Sequence, residues 1–353
     1  MKKVLIMNDL VSGGGVEKVL WEVMDALIEN NNQVTLLTPK KEKLPDNKSI
    51  KYMYYSEKTG IFSNVKKALK IIRYYIEIYN QDYDYVIAMK EGRCMKYVRW
   101  MHAKKKFAWV HVDYDQLYYT KKKFKIISEL NYMRAYNQVF CVSNQVKNSV
   151  IHKVGDPGNL EVLYNPMNIQ SIIKKSEEKV EDFQYDKKKI LLVAVGRLSK
   201  EKGMDRLAAA CVALKNRSEE FEVLIIGDGP ERESLESKIS KYGLKNITLL
   251  GKRDNPYKYI RIADYFLNVS RTESFGLSIY EALLCGKKCM ITNCAGAVEL
   301  FSEENNGWVV QNSTKGVCEG ITWLLEHKPD SQNFDTNNIS KKCDIKNILE
   351  RFE

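Results

Sequence analysis

The sequence contains no long hydrophobic run. No window of its 353 residues reaches the roughly 18 consecutive apolar residues that a membrane-spanning helix requires. The stretch MKKVLIM has a basic start, but Asn8 and Asp9 interrupt its apolar run and no small-residue cleavage site follows, so we expect no signal peptide. Hydrophobic residues still make up 44% of the chain, which is enough to build the cores of two globular domains.

The sequence also lacks the cysteine spacing of zinc sites. None of its eight cysteines forms a C-x-x-C pair, and several lie inside apolar segments such as QVFCVS (138–143) and KKCMIT (287–292). We therefore expect reduced core thiols in a cytoplasmic protein, and no metal site.

Two common glycine-rich phosphate motifs are missing as well. The dinucleotide fingerprint G-x-G-x-x-G would need glycine at Lys18, and no G-K-[S/T] is present to make a P-loop. Gly13, Gly14 and Gly15 nevertheless lie between a predicted strand and a predicted helix. There the backbone can approach an oxyanion and the helix start offers unpaired N–H groups. A tight turn without a ligand is the alternative.

Short strand-like segments alternate with helical patterns along the chain, which is typical of parallel sheets flanked by helices. The pattern predicts strands at 4–8, 33–38, 85–90, 107–112, 138–143 and 160–165, and again at 190–196, 221–227, 246–251, 265–270, 288–292 and 307–310. It also predicts helices at about 15–30 and 63–80.

These two sets of strands predict an α/β protein with two doubly wound, Rossmann-like domains. We place the first at 1–173, a polar linker at 174–189, the second at 190–336 and a final helix at 337–353. Such domains bind ligands at the carboxyl ends of their strands, so a shared ligand would lie in a cleft between them.

Two cations follow the first predicted strand of the second domain. Arg197 and Lys202 lie in LVAVGRLSKEKGMDRL, between the strand and the next helix. Together they could bind a diphosphate and neutralise its charge as it leaves, although a solvated turn is the alternative. Gly227 and Gly229, in the turn after the next strand, permit tight geometry at the same edge.

Two glutamates flank a helix start in RTESFGLSIYEALL. Gly276, Leu277 and Ser278 form the first turn, where free N–H groups and the helix dipole favour a phosphate. Glu273 precedes this turn and Glu281 lies more than one turn inside the helix. Carboxylates on either side of a diphosphate suit the sugar and the ribose of a nucleotide-sugar.

In order, these motifs resemble the landmarks of the GT-B glycosyltransferases, in particular the retaining family 4, also called group 1, of the bacterial surface-polysaccharide type. The resemblance covers nearly the whole chain, and the glutamates match the family's E-x7-E motif. It implies a metal-independent enzyme without a cofactor, whose final helix crosses back to the first domain. The implied roles are diphosphate contact by Gly14 and Gly15, diphosphate binding by Arg197 and Lys202, sugar binding by Glu273, and ribose binding by Glu281.

His111 ends a predicted strand in FAWVHVDYDQ. In the family it resembles, a histidine at the matching place contacts the donor sugar; a buried structural histidine is the alternative. Two D-x-D pairs, Asp82 with Asp84 and Asp113 with Asp115, are typical metal ligands of the other glycosyltransferase fold, GT-A. We discount both, because the first precedes its strand and this family uses cations in place of a metal, although Asp113 could touch an acceptor hydroxyl.

Positive charge is concentrated in the first half of the chain. Residues 1–170 contain 27 Lys and Arg against 17 Asp and Glu, whereas residues 171–353 contain 29 against 28. The amphipathic segment 64–79 and the basic segments 103–107 and 120–125 suit an anionic membrane surface, although such helices commonly pack on their own sheet. We expect no nucleic-acid partner, since no binding module is recognisable.

The expected activity is retaining transfer of a hexose from a nucleotide-sugar, with UDP as the expected nucleotide, to a hydroxyl of a glycan. The expected acceptor is carried by a membrane lipid such as a polyprenyl diphosphate, and the enzyme would work at the inner face of the cell membrane. Base selection is expected around GKRDNP, residues 251–256. The alternatives are a non-catalytic GT-B subunit and a nucleotide-sugar epimerase.

Overall fold

The chain forms two compact units. The computed structural model describes residues 1–9, 14–39, 47–54, 76–78, 81–117, 123–301, 306–330, 336–345, 348 and 350–352. The first unit comprises Met1–Pro166 and Ile345–Glu353, and the second comprises Met167–Asp344. None of the helices in these ranges is long and apolar enough to cross a membrane.

The first unit is built on a seven-stranded parallel sheet with the order β3-β2-β1-β4-β5-β6-β7. Its strands are β1 (Lys3–Met7), β2 (Gln33–Thr38), β3 (Ile50–Tyr54), β4 (Tyr83–Ala88), β5 (Ala103–Val110), β6 (Gln138–Cys141) and β7 (Leu160–Val162). Its described helices are α1 (Gly15–Glu29), α2 (Arg93–Val98), α3 (Tyr114–Leu117), α4 (Lys123–Met133) and α5 (Asn144–Val154).

The second unit is built on a six-stranded parallel sheet with the order β10-β9-β8-β11-β12-β13. Its strands are β8 (Ile190–Val195), β9 (Phe221–Ile226), β10 (Ile247–Gly251), β11 (Tyr265–Asn268), β12 (Cys289–Thr292) and β13 (Gly307–Val310). Its described helices are α6 (Ile169–Ser176), α7 (Met204–Ala213), α8 (Arg232–Tyr242), α9 (Tyr257–Ile262), α10 (Leu277–Leu284), α11 (Ala295–Val298), α12 (Thr314–His327) and α13 (Asn337–Cys343). Single 3₁₀ turns lie at Lys200–Lys202 and Lys215–Arg217.

Each sheet is doubly wound, and the strand order reverses at its middle. The reversal lies between β1 and β4 in the first unit and between β8 and β11 in the second. Side chains on both faces of the central strands are buried, as in Leu191, Leu192 and Val193 of β8, because helices cover both faces of such a sheet. Ligands of this fold type bind at the carboxyl edge beside the reversal.

The expected α/β class and all twelve predicted strands are confirmed, with most strands ending one to three residues earlier than expected. One strand was missed, β3 at the edge of the first sheet. Only Ile50 and Met53 of this strand are buried, so it lacks the continuous apolar run that marks a central parallel strand. The predicted helix at 63–80 lies outside the described residues except at 76–78, which are helical.

The expected final helix is interrupted at Asp344, while Asn337–Cys343, Ile348 and Glu350 are helical. α13 ends at Cys343, and Asp344 takes an extended conformation and forms a β-bridge with Met167. The Met167 N–H donates to the Cys343 carbonyl at 2.8 Å. Because an extended residue paired outside the helix cannot continue it, the helix stops there. Ile345–Glu353 then belong to the first unit, where Phe352 is buried.

The boundary between the units also differs in position from the expected one. It lies between Pro166 and Met167, before the segment 174–189 that was expected to be a linker. α6 takes up the start of that segment, and its buried Ile172 anchors it in the second unit. Farther along, Asp182 accepts hydrogen bonds from the Tyr259 hydroxyl at 2.6 and 2.8 Å, so polar composition here marks a surface segment of the second unit.

Candidate active site

The central feature of the second unit is an ion pair between the turns that follow β8 and β11. Lys202 Nζ donates to Glu273 Oε1 at 2.7 Å. β8 and β11 are neighbours in the sheet, so both turns leave its carboxyl edge where the strand order reverses. The Lys202 side chain is 31% exposed and that of Glu273 is 5% exposed, so the ammonium group is the partner open to solvent.

The Glu273 carboxylate receives all of its described hydrogen bonds at one oxygen. The Ser270 hydroxyl donates to Oε1 at 2.8 Å and the Asn268 amide at 3.3 Å, beside Lys202. No hydrogen bond from the described part of the chain reaches Oε2. One oxygen is therefore fixed by the protein, and the other has acceptor capacity left for a ligand.

Glu273 is ionised at neutral pH. Burial raises the pKa of this carboxyl, but the charge and hydrogen bond of Lys202 and the hydrogen bonds of Ser270 and Asn268 outweigh burial and hold the pKa below its ordinary value. A buried carboxylate that stays charged is suited to binding hydroxyl groups of a substrate as an acceptor.

Close backbone contacts hold the turns at this edge in place. A Cβ on Gly203 would lie 2.1 Å from the carbonyl oxygen of Val269, and Gly203 has a φ of +67°. A Cβ on Gly227 would lie 1.9 Å from the carbonyl oxygen of Gly196, at a φ of +145°. Only glycine combines these dihedral angles with these contacts. The turns after β8, β9 and β11 are therefore packed backbone to backbone.

Arg197 lies in the turn after β8, at the same edge. Its side chain is exposed, and no ion pair or side-chain hydrogen bond of Arg197 is present among the described residues. All the N–H donors of such a guanidinium group are available to an anion.

The helix start expected to receive a phosphate is present in the second unit. Gly276 precedes α10 with a left-handed φ of +84°, and no described side chain caps the helix at this end. The N–H groups of Leu277 and Ser278 lie in the first turn, where an α-helix supplies no intrahelical acceptor. Glu281 lies one turn farther along and is buried.

The glycine turn of the first unit is arranged differently from what was expected. The Gly14 N–H donates to Glu17 Oε2 at 2.8 Å, and Gly15 is the first residue of α1. A carboxylate of the chain itself therefore occupies one of the donors that were predicted to face a diphosphate. Glutamate three residues after a cap position is a capping-box signal, so the sequence contained the clue to this contact.

His111 follows β5 at the carboxyl edge of the first sheet and is buried. Burial, together with the nearby charge of Lys90, lowers its pKa from 6.5 to about 3. Its backbone N–H donates to Glu91 Oε2 at 3.1 Å, while its ring nitrogen Nε2 is buried without a described partner. His111 is a neutral imidazole at physiological pH, with one nitrogen free to bond a ligand.

Two protein-family models match this chain in succession. The model for Glycosyltransferase Family 4 matches residues 13–171, and the model for Glycosyl transferases group 1 matches residues 175–341. Together they leave little of the sequence unmatched. The chain belongs to the group 1 glycosyltransferases.

Named relatives and a solved structure agree with this membership. The glycosyltransferase is 25% identical to an uncharacterised glycosyltransferase of Methanocaldococcus jannaschii over 81% of this chain and 79% of that protein. It is 31% identical to N-acetylgalactosamine-N,N'-diacetylbacillosaminyl-diphospho-undecaprenol 4-alpha-N-acetylgalactosaminyltransferase of Campylobacter jejuni, over 48% of this chain and 45% of that protein. The structure of Anabaena HepE with UDP-glucose superposes with a TM-score of 0.76 and 18% identity, covering 100% of this chain and 98% of HepE. The fold is therefore GT-B.

One residue of the glycosyltransferase at this edge was missed by sequence analysis. Arg271 donates from Nη1 to Asp205 Oδ1 at 2.6 Å and from Nη2 to Asp205 Oδ2 at 2.7 Å. The carbonyl oxygen of Lys200 accepts a further bond from Nη1 at 2.7 Å. An arginine in a turn is ordinary in a sequence, and its partner lies 66 positions away, so no local signal indicated this role.

The D-x-D pair Asp113 and Asp115 of the glycosyltransferase is engaged in contacts within the first unit. Asp113 accepts from the Asp115 N–H at 2.9 Å and from Gln145 Nε2 at 3.1 Å. Asp115 pairs with His152 at 2.8 Å and with Lys153 at 3.2 Å. Both carboxylates therefore act in local structure, where Asp113 precedes α3.

The other D-x-D pair lies at the amino end of β4, as expected from the sequence. Asp84 accepts from the Lys3 N–H and pairs with Lys104 Nζ, at 2.8 and 2.7 Å. Within the described ranges, no group of three or more His, Cys, Asp or Glu side chains is placed to hold a metal ion.

The basic segments of the first unit are only partly described. Segment 64–79 lies outside the described residues except at 76–78, and 120–122 lie outside them as well. The segment 103–107 forms the start of β5, where Lys104 pairs with Asp84 and Lys106 donates to the Arg99 carbonyl at 2.8 Å. Those two cations are therefore already engaged within the unit.

Proposed function

We propose that this enzyme transfers a hexose from UDP to a hydroxyl group of a lipid-linked glycan, with retention of the anomeric configuration and without a metal ion. The Lys202–Glu273 ion pair at the carboxyl edge of the second sheet carries the proposal. It places a solvent-accessible cation beside a buried carboxylate that has one free oxygen. A diphosphate and a sugar hydroxyl are complementary to those two groups.

The β-phosphate gains negative charge as its bond to the sugar breaks, so departure of the nucleotide needs positive charge nearby. Arg197 and Lys202 supply two cations in the same turn, and the first turn of α10 supplies N–H groups and the positive end of a helix dipole. Anabaena HepE, which shares the fold, has been crystallised with UDP-glucose, which supports UDP as the nucleotide. We assign Glu281 to the ribose and Glu273 to the hexose.

Retention follows if the acceptor attacks the face that the nucleotide leaves. The bond between C1 and the β-phosphate oxygen breaks, and the acceptor oxygen bonds to C1 on the same side. The acceptor proton passes to the departing phosphate oxygen, so no nucleophile from the protein is consumed. In the first unit, His111 is proposed to hydrogen-bond the hexose as a neutral group. Of the glycine turn, the backbone N–H of Gly15 is proposed to contact the diphosphate, because the Gly14 N–H donates to Glu17.

The acceptor class rests on a relative and on charge. The Campylobacter relative is named for transfer to a diphospho-undecaprenol-linked glycan. The first half of this chain has ten more basic than acidic residues, 27 against 17, which suits an acceptor held at an anionic membrane surface. We therefore place the acceptor on a polyprenyl diphosphate and the enzyme at the inner face of the membrane.

The test is a panel of UDP-, GDP- and ADP-sugars incubated with purified enzyme and a polyprenyl-diphosphate glycan in EDTA. We expect release of UDP from one sugar, and a product whose anomeric configuration, measured by NMR, equals that of the donor. Glu273→Gln should lose at least about a hundredfold in kcat/KM. Glu236→Gln, which alters an ion-paired glutamate of α8 in the same unit, should retain the activity of the wild type.

Three results would contradict the proposal. An absolute requirement for a divalent metal would remove the role given to Arg197 and Lys202. An inverted product would refute the retaining course. Absence of both turnover and nucleotide binding across the panel would favour a non-catalytic subunit, and turnover of the donor sugar without an acceptor would favour an epimerase.

A further inference from the structure

Arg271 links the turn that carries Lys202 to the turn that carries Glu273, and it is not among the residues proposed to bind the donor. We propose that Arg271 is a positioning residue, which sets the separation of Lys202 and Glu273 and so aligns the carboxylate that binds the donor. This inference rests on the proposed function for its kinetic consequences. Its structural core, the dependence of the Lys202–Glu273 pair on Arg271, can be tested without any substrate.

The contacts of Arg271 bracket Lys202 on both sides. Its guanidinium donates to the Lys200 carbonyl at 2.7 Å and to both carboxylate oxygens of Asp205, at 2.6 and 2.7 Å. Its backbone N–H donates to the Glu201 carbonyl at 2.7 Å. Arg271, two positions before Glu273, thus donates four hydrogen bonds to residues on either side of Lys202.

Arg271 is itself held from the opposite side. Its carbonyl oxygen accepts a hydrogen bond from Asn312 Nδ2 at 2.9 Å, and Asn312 Oδ1 accepts one from Arg206 Nη1 at 2.5 Å. Asn312 follows β13, and Arg206 belongs to α7. The backbone of the β11 turn is therefore fixed both to the β8 turn and to the turn after β13, which leaves little freedom for Glu273.

The form of the Arg271–Asp205 pair favours a geometric role over a stabilising one. Both side chains are about one-third exposed, at 32% and 31%, and ion pairs at that exposure contribute little to stability. A two-pronged arginine–carboxylate contact nevertheless fixes direction as well as distance. The Arg271 hydrogen bond is also the main reason that the pKa of Asp205 lies below its ordinary value, so the pair stays charged at neutral pH.

Loss of Arg271 should leave the fold intact. Gly203 still packs against the Val269 carbonyl, and β8 still pairs with β11. What changes is the course of the turn between them, and with it the position of the Lys202 ammonium. Lys202 has a long side chain that is 31% exposed, so without a fixed backbone it would sample positions away from Glu273.

The kinetic test compares Arg271→Gln and Arg271→Lys with Arg217→Gln. Arg217 forms a bidentate pair with Glu220 at 2.8 Å in the same unit. It lies just before β9, at the amino end of that strand, whereas the ion pair lies at the carboxyl edge of the sheet. We expect kcat to fall about ten- to a hundredfold in Arg271→Gln, with a smaller change in KM. Arg271→Lys, which keeps the charge but not the fork, should fall less, and Arg217→Gln should not fall.

A double-mutant cycle shows whether Arg271 acts through the ion pair. In a Lys202→Met background the pair is already absent, so Arg271→Gln should add little further loss of kcat. Multiplicative losses, or a loss of the same size in Arg217→Gln, would overturn the inference. Thermal unfolding of each variant shows whether it folds. If Arg271→Gln does not fold, Arg271→Lys replaces it, and the cycle is repeated with Arg271→Lys and Lys202→Met.

The substrate-free test is the pKa of Glu273, followed by NMR of ¹³C-labelled glutamate and assigned by its absence in Glu273→Gln. The groups that face this carboxylate are Lys202, Ser270 and Asn268, with Cys294 nearby. In Arg271→Lys the local charge is conserved, so a higher Glu273 pKa would report a displaced Lys202. An unchanged pKa would overturn the inference, whereas a wild-type enzyme that turns over no donor would count against the proposed function alone.

Discussion

Lys202 Nζ lies 2.7 Å from Glu273 Oε1, although the two residues are 71 positions apart in the sequence. The pairing of β8 with β11 brings their turns to one edge, and the close contact of Gly203 with Val269 holds the turns together. A buried carboxylate and a partly exposed ammonium group are thereby held at hydrogen-bonding distance. This relationship makes stability and its pH dependence rely on the same few atoms to which we assign donor binding.

Stability should depend on the ionisation of Glu273. Its pKa in the folded protein lies below the ordinary value of 4.5, so the charged carboxylate stabilises the fold above that pH, and this contribution is lost as the pH falls through the folded-state pKa. Urea unfolding of the wild type and Glu273→Gln should show a difference of about 1–3 kcal/mol at pH 7. The difference should narrow as the pH falls below 4.5, and a difference that does not vary with pH would refute the assignment.

Gly203→Ala should lower the free energy of unfolding by more than the left-handed backbone conformation of this residue alone explains. The new Cβ would meet the Val269 carbonyl at 2.1 Å. Gly243 provides a matched control, because its φ is +59° and the nearest atom to its Cβ position is Lys215 Nζ at 3.9 Å. We expect Gly243→Ala to lower the free energy of unfolding by about 1 kcal/mol and Gly203→Ala by about 3 kcal/mol or more. Equal losses in chemical denaturation would show that the contact is not tight.

The His111 imidazole should make the protein less stable in mild acid. Its folded-state pKa is about 3, below the ordinary 6.5, so the unfolded chain takes up a proton at a pH where the folded protein does not. Stability relative to His111→Gln should therefore fall as the pH decreases, by about 2 kcal/mol between pH 7 and pH 5. The measurement is urea unfolding of both proteins across this range.

The ring nitrogens of His111 offer an independent check. Their NMR signals, identified by their loss in His111→Gln, should show a neutral imidazole from pH 8 down to pH 5. A ring that gains its proton near pH 6.5 would contradict the role of a neutral hydrogen-bonding group for the hexose.

Phe352→Ala should destabilise the first unit strongly. Phe352 is 2% exposed, and its ring centroid lies 5.0 Å from that of Phe107 and 6.2 Å from that of Trp109. Truncating a buried phenylalanine costs about 3–5 kcal/mol. The half-buried Phe183, which stacks on Tyr185 in the second unit, should cost about 1 kcal/mol when truncated. Urea unfolding followed by far-ultraviolet circular dichroism measures the loss of stability in both variants, and equal losses would rule out a special role for Phe352.

The sequence predicted the second unit well because its central strands are buried on both faces. Strands such as β8 leave an unbroken apolar run, and the turn after each run begins the carboxyl edge where ligands bind. The sequence pattern therefore predicted Arg197, Lys202 and Glu273 at one edge of the sheet. The same reasoning missed β3, because an edge strand has fewer buried residues and therefore no continuous apolar run.

What the sequence did not predict depends on contacts between distant segments. The pairing of Lys202 with Glu273, and the four hydrogen bonds of Arg271 to the β8 turn, require the strand order, which local patterns do not contain. The end of α13 depends on a bridge from Asp344 to Met167. Such long-range pairings override local helix preference, as the break of the predicted helix at Asp344 shows.

The assignment of Ile345–Glu353 to the first unit has a consequence for how the protein is made. The second unit is a single uninterrupted piece of chain, 167–344, whereas the first unit includes residues from before and after that piece. During synthesis, the second unit can therefore finish folding while the aromatic cluster of the first unit still lacks Phe352. The unit that is translated first is the last to be completed, and a chain that stalls after Asp344 would leave Phe107, Trp109 and Phe140 without the ring that packs among them.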